Sequence, residues 1–92
     1  MSGPASWYNT GAVTATGDPF DPSLFTAANK ELPLNSYIRV HYNGNCAILL
    51  VNDHGPYGYG RVFDLSEAAA TYLGYHETGV VWVTADVLVP SS

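Results

Sequence analysis

The clearest structural signal in this sequence is the stretch YIRVHYNGNCAILLVN, residues 37–52. Apolar and polar side chains alternate over residues 37–42, which is the pattern of a strand with one buried face. Asn43-Gly44 follows, the dipeptide that most strongly favours a tight β-hairpin. Residues 46–52 are then apolar on both faces, which indicates a buried central strand. These observations predict two antiparallel strands at the centre of a β-rich fold.

The flanking segments predict shorter strands and many turns. Residues 7–29 are interrupted by glycines and by Asp-Pro pairs, so we expect loops with short strands there. A short strand is expected at residues 61–63. Residues 80–89 form a last β-rich stretch, in which Trp82 is expected to lie in the core. Together these elements indicate a small β-barrel or sandwich.

One helix is predicted at about residues 65–73. Asp64 is expected to cap its first turn, and Glu67, three residues later, completes a pair that resembles a capping box. Alanines favour its continuation, and Gly74 stands where a left-handed terminus is needed. The predicted fold class is therefore mainly β with one short α-helix.

Composition limits the class of protein. The chain has 92 residues, 47% hydrophobic and 12% charged, so one folded domain over residues 1–92 is expected. Its longest apolar run, residues 47–51, is far shorter than the roughly 20 residues of a membrane helix, so no membrane span is expected. A formal charge of −5, with only three Lys and Arg, excludes nucleic acid as a partner.

Cys46 is the only cysteine, so no intrachain disulfide is possible, and no Cys/His spacing resembles a zinc site. It begins a strand expected to be buried and is interpreted as a small hydrophobe. Neither a metal nor an organic cofactor is expected. Residues 1–4 lack the charged and apolar regions of a signal peptide. Either the protein stays inside the cell, or an export segment lies outside this sequence.

Four segments, in order, resemble the double-psi β-barrel of the rare lipoprotein A family. They are ASWY at residues 5–8, FDPSLFTAA at 20–28, VND followed by GP at 51–56, and R with DLS and AAA at 61–70. The resemblance implies a six-stranded barrel with a glycan-binding groove. It also implies action on bacterial peptidoglycan, in several members as lytic transglycosylases, and hence a location in the cell wall, the periplasm or outside the cell.

Asp53 is the candidate general acid and base. It ends an apolar strand and opens a Gly/Pro loop, where a carboxyl group can be partly buried and still reach a cleft. Burial raises the pKa of a carboxyl group toward the range useful for a general acid. From the residues alone, a turn aspartate that binds its own loop amides is the favoured interpretation. The resemblance implies the catalytic reading.

Two supporting positions depart from the family pattern. Asp18 stands where many members have a glutamate, which shortens the reach of the carboxylate. Asn29 stands where many members have a histidine, and an amide can hydrogen-bond a sugar but cannot carry a proton. His54 stands where an arginine is common. Asp18 and Asn29 are predicted to support catalysis, and His54 to contact substrate. Asp21 is read as a turn residue.

Four aromatic residues are predicted to form a platform on which sugar rings stack: Trp7, Tyr8, Tyr57 and Tyr59. Tyr57 and Tyr59 lie in the glycine-rich loop directly after Asp53, which favours a place in the groove. The other interpretation is that a small barrel uses such aromatics to fill its core and rim.

Three functions are compatible with the sequence. The first is glycan-strand cleavage of the lytic transglycosylase type. The second is a non-catalytic module that binds peptidoglycan or a related polysaccharide, which the changes at Asp18 and Asn29 favour. The third is a protein-interaction barrel, such as a phage structural part or a protease inhibitor. Whether the domain is an enzyme stays open, and the chain is expected to be monomeric.

Overall fold

The computed structural model describes residues 1–11, 13–55 and 60–88. Tyr57 and Tyr59 therefore lie outside the described residues. The elements are, in chain order, β1 (Ser2–Tyr8), β2 (Thr26–Ala28), β3 (Tyr37–Tyr42), β4 (Asn45–Asp53), β5 (Phe63–Ser66), α1 (Glu67–Leu73) and β6 (Val81–Leu88). Of the helices in these ranges, none is both long and apolar enough to cross a membrane.

The six strands close into a barrel in the order β1-β5-β2-β4-β3-β6. The pairs β1–β5 and β2–β4 are parallel, and the four other pairs are antiparallel. This architecture confirms the predicted mainly-β, six-stranded double-psi barrel with one short helix. That the domain extends over residues 1–92 stays a prediction.

The β3–β4 hairpin forms as the sequence predicts. Tyr42 pairs with Asn45, and the two residues between them have positive φ angles, 51° at Asn43 and 82° at Gly44. This is the backbone of a two-residue turn whose twist matches that of the flanking strands. The side chains of Ile38, Val40 and other inward residues are fully buried.

The outer face of the barrel differs from the prediction at three positions. Ile48 is half exposed and Cys46 is exposed, because only alternate residues of a barrel strand face the interior. Trp82 is 65% exposed, so its predicted place in the core is wrong. Its neighbour Val83 takes the inward position and is buried, and strand alternation then turns the indole outward.

The helix begins at Glu67, two residues later than predicted, and Asp64 does not cap it. Ser66 is the capping residue, and its hydroxyl accepts a 3.3 Å hydrogen bond from the backbone nitrogen of Ala69. The cause is pairing with β1, which keeps β5 extended as far as Ser66. The predicted end is confirmed, because Gly74 has a left-handed φ of 99°.

The core lies inside the barrel and is extended by one face of α1. Ala69, Ala70 and Leu73 on the helix are buried and join the cluster formed by inward residues of the strands. Tyr75, directly after the helix, is fully buried, and its hydroxyl donates a 3.0 Å hydrogen bond to the carbonyl of Ser6. Burial raises the pKa of Tyr75 above its ordinary value.

Candidate functional site

Asp53 is the last residue of β4, at a point where the sheet is irregular. Its Cα is paired with Ala28 of β2, and the register shifts between Ala27 and Ala28. The backbone nitrogen of Asn29 then donates a 3.2 Å hydrogen bond to the carbonyl of Asp53. Such irregularities redirect a side chain at the end of a strand. The side chain of Asp53 is partly buried here.

One oxygen of the Asp53 carboxylate is fixed by backbone groups. Oδ1 accepts a 3.1 Å hydrogen bond from the nitrogen of Ala15 and a 3.0 Å bond from the nitrogen of His54. The described residues form no hydrogen bond to Oδ2. The carboxylate therefore binds its own loop, as a turn aspartate does, while Oδ2, unpaired among the described residues, can exchange a proton with a ligand.

The loop at residues 13–19 is folded onto the end of β4. The nitrogen of Thr14 donates to the carbonyl of Asp18 at 2.8 Å, and that of Thr16 donates to the carbonyl of Asn52 at 3.3 Å. The Asp18 carboxylate is exposed and accepts a 3.1 Å hydrogen bond from the hydroxyl of Thr16. The structure therefore places Asp18 on the loop that holds Asp53.

Asn29 is almost completely buried, at 1% exposure, and its amide is engaged by the backbone. Its Oδ1 accepts two 2.8 Å hydrogen bonds, from the nitrogens of Glu31 and Leu32. Its Nδ2 donates to the carbonyl of Val62 at 3.0 Å. These contacts organise the loop after β2 and tie it to the segment before β5.

The Tyr8 hydroxyl is close enough to the carboxylates of Asp53 and Asp64 for their charges to act on it. Its ring stacks on Phe20, with centroids 4.4 Å apart and planes 16° from parallel. Its hydroxyl is buried and finds no hydrogen-bond partner among the described residues. Burial first, and then the negative charges of Asp53 and Asp64, raise the pKa of Tyr8 to about 12. At neutral pH this hydroxyl is a protonated donor.

Trp7 and Tyr8 do not form one platform, because neighbouring residues of β1 point to opposite faces. Trp7 packs against the core, and its indole stacks on His76 with centroids 4.3 Å apart. Its Nε1 donates a 2.9 Å hydrogen bond to the carbonyl of His76.

His54, the next residue in the chain after Asp53, is exposed.

Sequence reasoning does not predict a polar cluster that is formed by Ser6 of β1, Asp64 of β5 and Arg61, which precedes β5. Arg61 forms a 3.1 Å ion pair with Asp64, and the same Nη1 donates a 2.6 Å hydrogen bond to the hydroxyl of Ser6. The Ser6 hydroxyl in turn donates to the carboxylate of Asp64. The sequence offered only a weak signal, because Asp64 has the appearance of a helix cap and its contact with Ser6 depends on the pairing of β1 with β5.

A cleft of about 190 Å³ lies beside Arg61 and Asn29. Its other lining residues include Glu31 and Gly60. The cleft brings the loop after β2 next to Arg61 of the polar cluster. Within the described ranges, no group of three or more His, Cys, Asp and Glu side chains could hold a metal ion.

Over residues 1–85 the chain matches the protein family described as lytic transglycolase. The chain belongs to this family. It is 50% identical to the endolytic peptidoglycan transglycosylase RlpA of Pseudomonas aeruginosa, over 98% of this chain and 28% of that protein. It is 43% identical to the RlpA of Neisseria meningitidis, over 98% of this chain and 40% of that protein. The resemblance to the rare lipoprotein A family is thus confirmed.

Among solved structures, the Streptomyces papain inhibitor superposes with a TM-score of 0.84. It is 27% identical, and the match covers 97% of this chain and 94% of that one. The same lytic transglycolase barrel is therefore similar both to transglycosylases and to an inhibitor of a protease. Because the chain spans well under half of its RlpA relatives, their activity is not carried over with the family.

Proposed function

We propose that this domain cleaves the glycan strands of peptidoglycan by the lytic transglycosylase reaction, with Asp53 as the single general acid and base. Asp53 gives its proton to the glycosidic oxygen, and the bond from that oxygen to the anomeric carbon of muramic acid breaks. The oxygen of the sugar's own 6-hydroxyl bonds to the same carbon and its proton passes to Asp53. The products are a free sugar end and a 1,6-anhydro ring, and no water is consumed.

The observation that carries this proposal is the unequal use of the two Asp53 oxygens. Oδ1 is held by two backbone N–H groups, and Oδ2 is left open by the described residues. A fixed carboxylate with one available oxygen suits a reaction in which one group first donates and then accepts a proton. Hydrolysis by the ordinary two-carboxylate route needs a second group that activates water or attacks the sugar.

Tyr8 and the polar cluster supply substrate contacts in this proposal. The Tyr8 hydroxyl is a buried donor without a described partner, and such a group gains most from meeting a ligand oxygen. Asp64 of the neighbouring strand β5 forms an ion pair with Arg61, which precedes that strand. We assign Tyr8 to hydrogen bonding rather than to open stacking, because Phe20 already covers one face of its ring.

Asp18 and Asn29 take different parts. The exposed Asp18 carboxylate sits on the loop that holds Asp53, so it can reach a sugar bound there. Asn29 is a positioning residue in this scheme, because its amide is used by backbone groups around the loop after β2. His54, Tyr57 and Tyr59 remain proposed substrate contacts. Trp7 is proposed only as an indirect support through His76.

The relatives support the choice of substrate and place. Two RlpA proteins named as endolytic peptidoglycan transglycosylases share 50% and 43% of aligned residues with this chain. A peptidoglycan substrate implies that the domain works in the periplasm or the cell wall. No metal or organic cofactor enters the proposed reaction.

A non-catalytic glycan-binding module is the second candidate. The observation that favours it is the state of Asn29, whose buried amide occupies a family histidine position and has no proton to transfer. A protein-interaction role is the third, supported by the similarity to the papain inhibitor. All three candidate functions are compatible with the same barrel, so the fold does not distinguish them and a biochemical assay is needed.

The test is digestion of purified peptidoglycan, intact and stripped of stem peptides, with products read by mass spectrometry. Wild type is expected to release fragments that end in 1,6-anhydro-muramic acid, and Asp53→Asn to release none while still folding. Glu77→Gln is the matched control, since it removes one carboxylate from an exposed position after α1. If Asp53→Asn releases as much product as the wild type, Asp53 is not the general acid. If the wild type sediments with the glycan but releases no product, the binding module is selected. If it neither sediments nor releases product, the protein-interaction role is selected.

A further inference from the structure

A second cleft, of about 360 Å³, lies at the other end of the barrel from Asp53. It is formed by the β3–β4 hairpin together with Trp82 and Thr84 of β6, and we call it the hairpin cleft. Asn45, which also lines the cleft, begins the strand that Asp53 ends. At a rise of about 3.3 Å per residue, the two ends of this strand are roughly 26 Å apart.

Trp82 gives the hairpin cleft an open aromatic face. The side chain is 65% exposed, whereas Trp7, the other tryptophan, is packed on His76 and against the core. Among the aromatic side chains of the described residues, Trp82 is the most exposed, and it is held on a strand. Its flat, apolar ring is the surface on which the C–H face of a pyranose packs.

Polar groups with little net charge surround this ring. Strand pairing places His41 between Cys46 and Thr84 on the outer face. His41 binds the carboxylate of Asp86 at 2.9 Å, so any positive charge on the imidazole is compensated. No acidic residue and no Lys or Arg is among the described residues that line the cleft. The lining therefore matches an uncharged, hydroxyl-rich ligand better than an anion or a charged peptide.

We infer that the hairpin cleft is a second glycan contact, in which an N-acetylated amino sugar stacks on Trp82 and hydrogen-bonds to Asn43 and Thr84. The identity of the glycan rests on the proposed function. Two contacts on one polymer raise the effective concentration of the strand at the other site. The cleft thus retains the domain on insoluble glycan between encounters at Asp53.

The test measures binding, not cleavage. Wild type, Trp82→Ala and Trp82→Phe are sedimented with peptidoglycan sacculi stripped of stem peptides, and titrated with an N-acetylglucosamine hexamer while tryptophan fluorescence is followed. Tyr37→Ala is the matched control, since Tyr37 is 53% exposed on β3 but does not line the cleft. Melting temperatures confirm that each variant is folded.

Trp82→Ala is expected to weaken sedimentation at least about tenfold, Trp82→Phe to retain most of it, and Tyr37→Ala to leave it unchanged. The fluorescence response to the hexamer is expected in wild type and lost in both Trp82 variants. Unchanged sedimentation of a folded Trp82→Ala overturns the inference, even if the wild type cleaves peptidoglycan. An equal loss in Tyr37→Ala also overturns it, because it indicates a broad adhesive face such as a protein partner would use. If Trp82→Ala loses sedimentation, Tyr37→Ala keeps it and the wild type cleaves no peptidoglycan, the inference is supported and the proposed reaction is rejected.

Discussion

The backbone nitrogen of Ala15 donates a 3.1 Å hydrogen bond to the Asp53 carboxylate, 38 residues away in the chain. A second link, from the nitrogen of Thr16 to the carbonyl of Asn52, runs alongside it at 3.3 Å. The loop at residues 13–19 therefore sets the direction of the proposed catalytic group. Because the donor is a main-chain N–H, the Ala15 side chain gives no sign that this residue orients the Asp53 carboxylate.

Replacing Ala15 by proline tests this link without changing any carboxylate. Proline has no N–H, so Oδ1 of Asp53 keeps only the bond from His54 and the carboxylate loses its fixed orientation. We expect the turnover of stripped glycan to fall roughly 10- to 100-fold, because small displacements of a reacting group are costly. The matched control is Ala15→Gly, which keeps the donor. Equal turnover in the folded proline and glycine variants would show that the link is dispensable.

Tyr8→Phe tests the proposed hydrogen bond to substrate. The change keeps the ring on Phe20 and removes a buried hydroxyl that has no described partner. We expect the free energy of unfolding to change by less than about 1 kcal/mol. Turnover is expected to fall at least about tenfold, measured as product release from stripped glycan. Tyr72→Phe, on the exposed face of α1, is the control. Full activity of Tyr8→Phe assigns the tyrosine to packing alone.

The same tyrosine predicts a loss of stability in alkali. The pKa of Tyr8 is raised from 10.0 to about 12, and burial also raises that of Tyr75. In the unfolded chain both groups ionise near pH 10, so above that pH the unfolded state binds fewer protons. Stability is therefore full below about pH 10 and falls as the pH rises to about 12, by at most about 1.4 kcal/mol per pH unit for each tyrosine. Urea unfolding at increasing pH measures the slope, and Tyr8→Phe is expected to make it shallower. A slope that is the same in wild type and Tyr8→Phe contradicts the assignment.

The sequence predicted those parts of the fold that depend on local chemistry. Asn43-Gly44 specifies the hairpin because both residues tolerate the positive φ angles of its turn. Gly74 ends α1 for the same reason. Asp53 lies at the end of a strand, as the change from apolar residues to a Gly/Pro loop indicates.

The parts that could not be predicted depend on contacts between distant segments. Parallel pairing with β1 extends β5 to Ser66, and so turns Asp64 from an apparent helix cap into a partner of Ser6 and Arg61. Trp82 lies among valines in the sequence, but its direction depends on which residues of β6 face the barrel interior. In both cases local propensity gives way to tertiary pairing.

Asn29 is expected to matter more for stability than its polar character suggests. Asn29→Ala leaves two backbone N–H groups and one carbonyl without their partner in a partly buried place. We expect a loss of roughly 2–4 kcal/mol in the free energy of unfolding, measured with urea. Asn9→Ala, at an exposed position of the same residue type, should change it by less than about 0.5 kcal/mol. A loss below about 1 kcal/mol for Asn29→Ala would show that the amide is not needed for stability, and Asn29 would again be a candidate substrate contact.

Glycan binding is expected to depend only weakly on salt. Of the three Lys and Arg side chains, Arg61 is already paired with Asp64, and the chain as a whole carries a charge of −5. Affinity for glycan must then come from hydrogen bonds and aromatic stacking, which ions screen little. Between about 50 and 200 mM salt, we expect sedimentation with stripped sacculi to change less than about twofold, whereas polyanion binding through many cations falls by orders of magnitude. A steep decrease of binding with salt would mean that cationic groups dominate the contact. It would contradict glycan binding by hydrogen bonds and stacking, both near Asp53 and in the hairpin cleft.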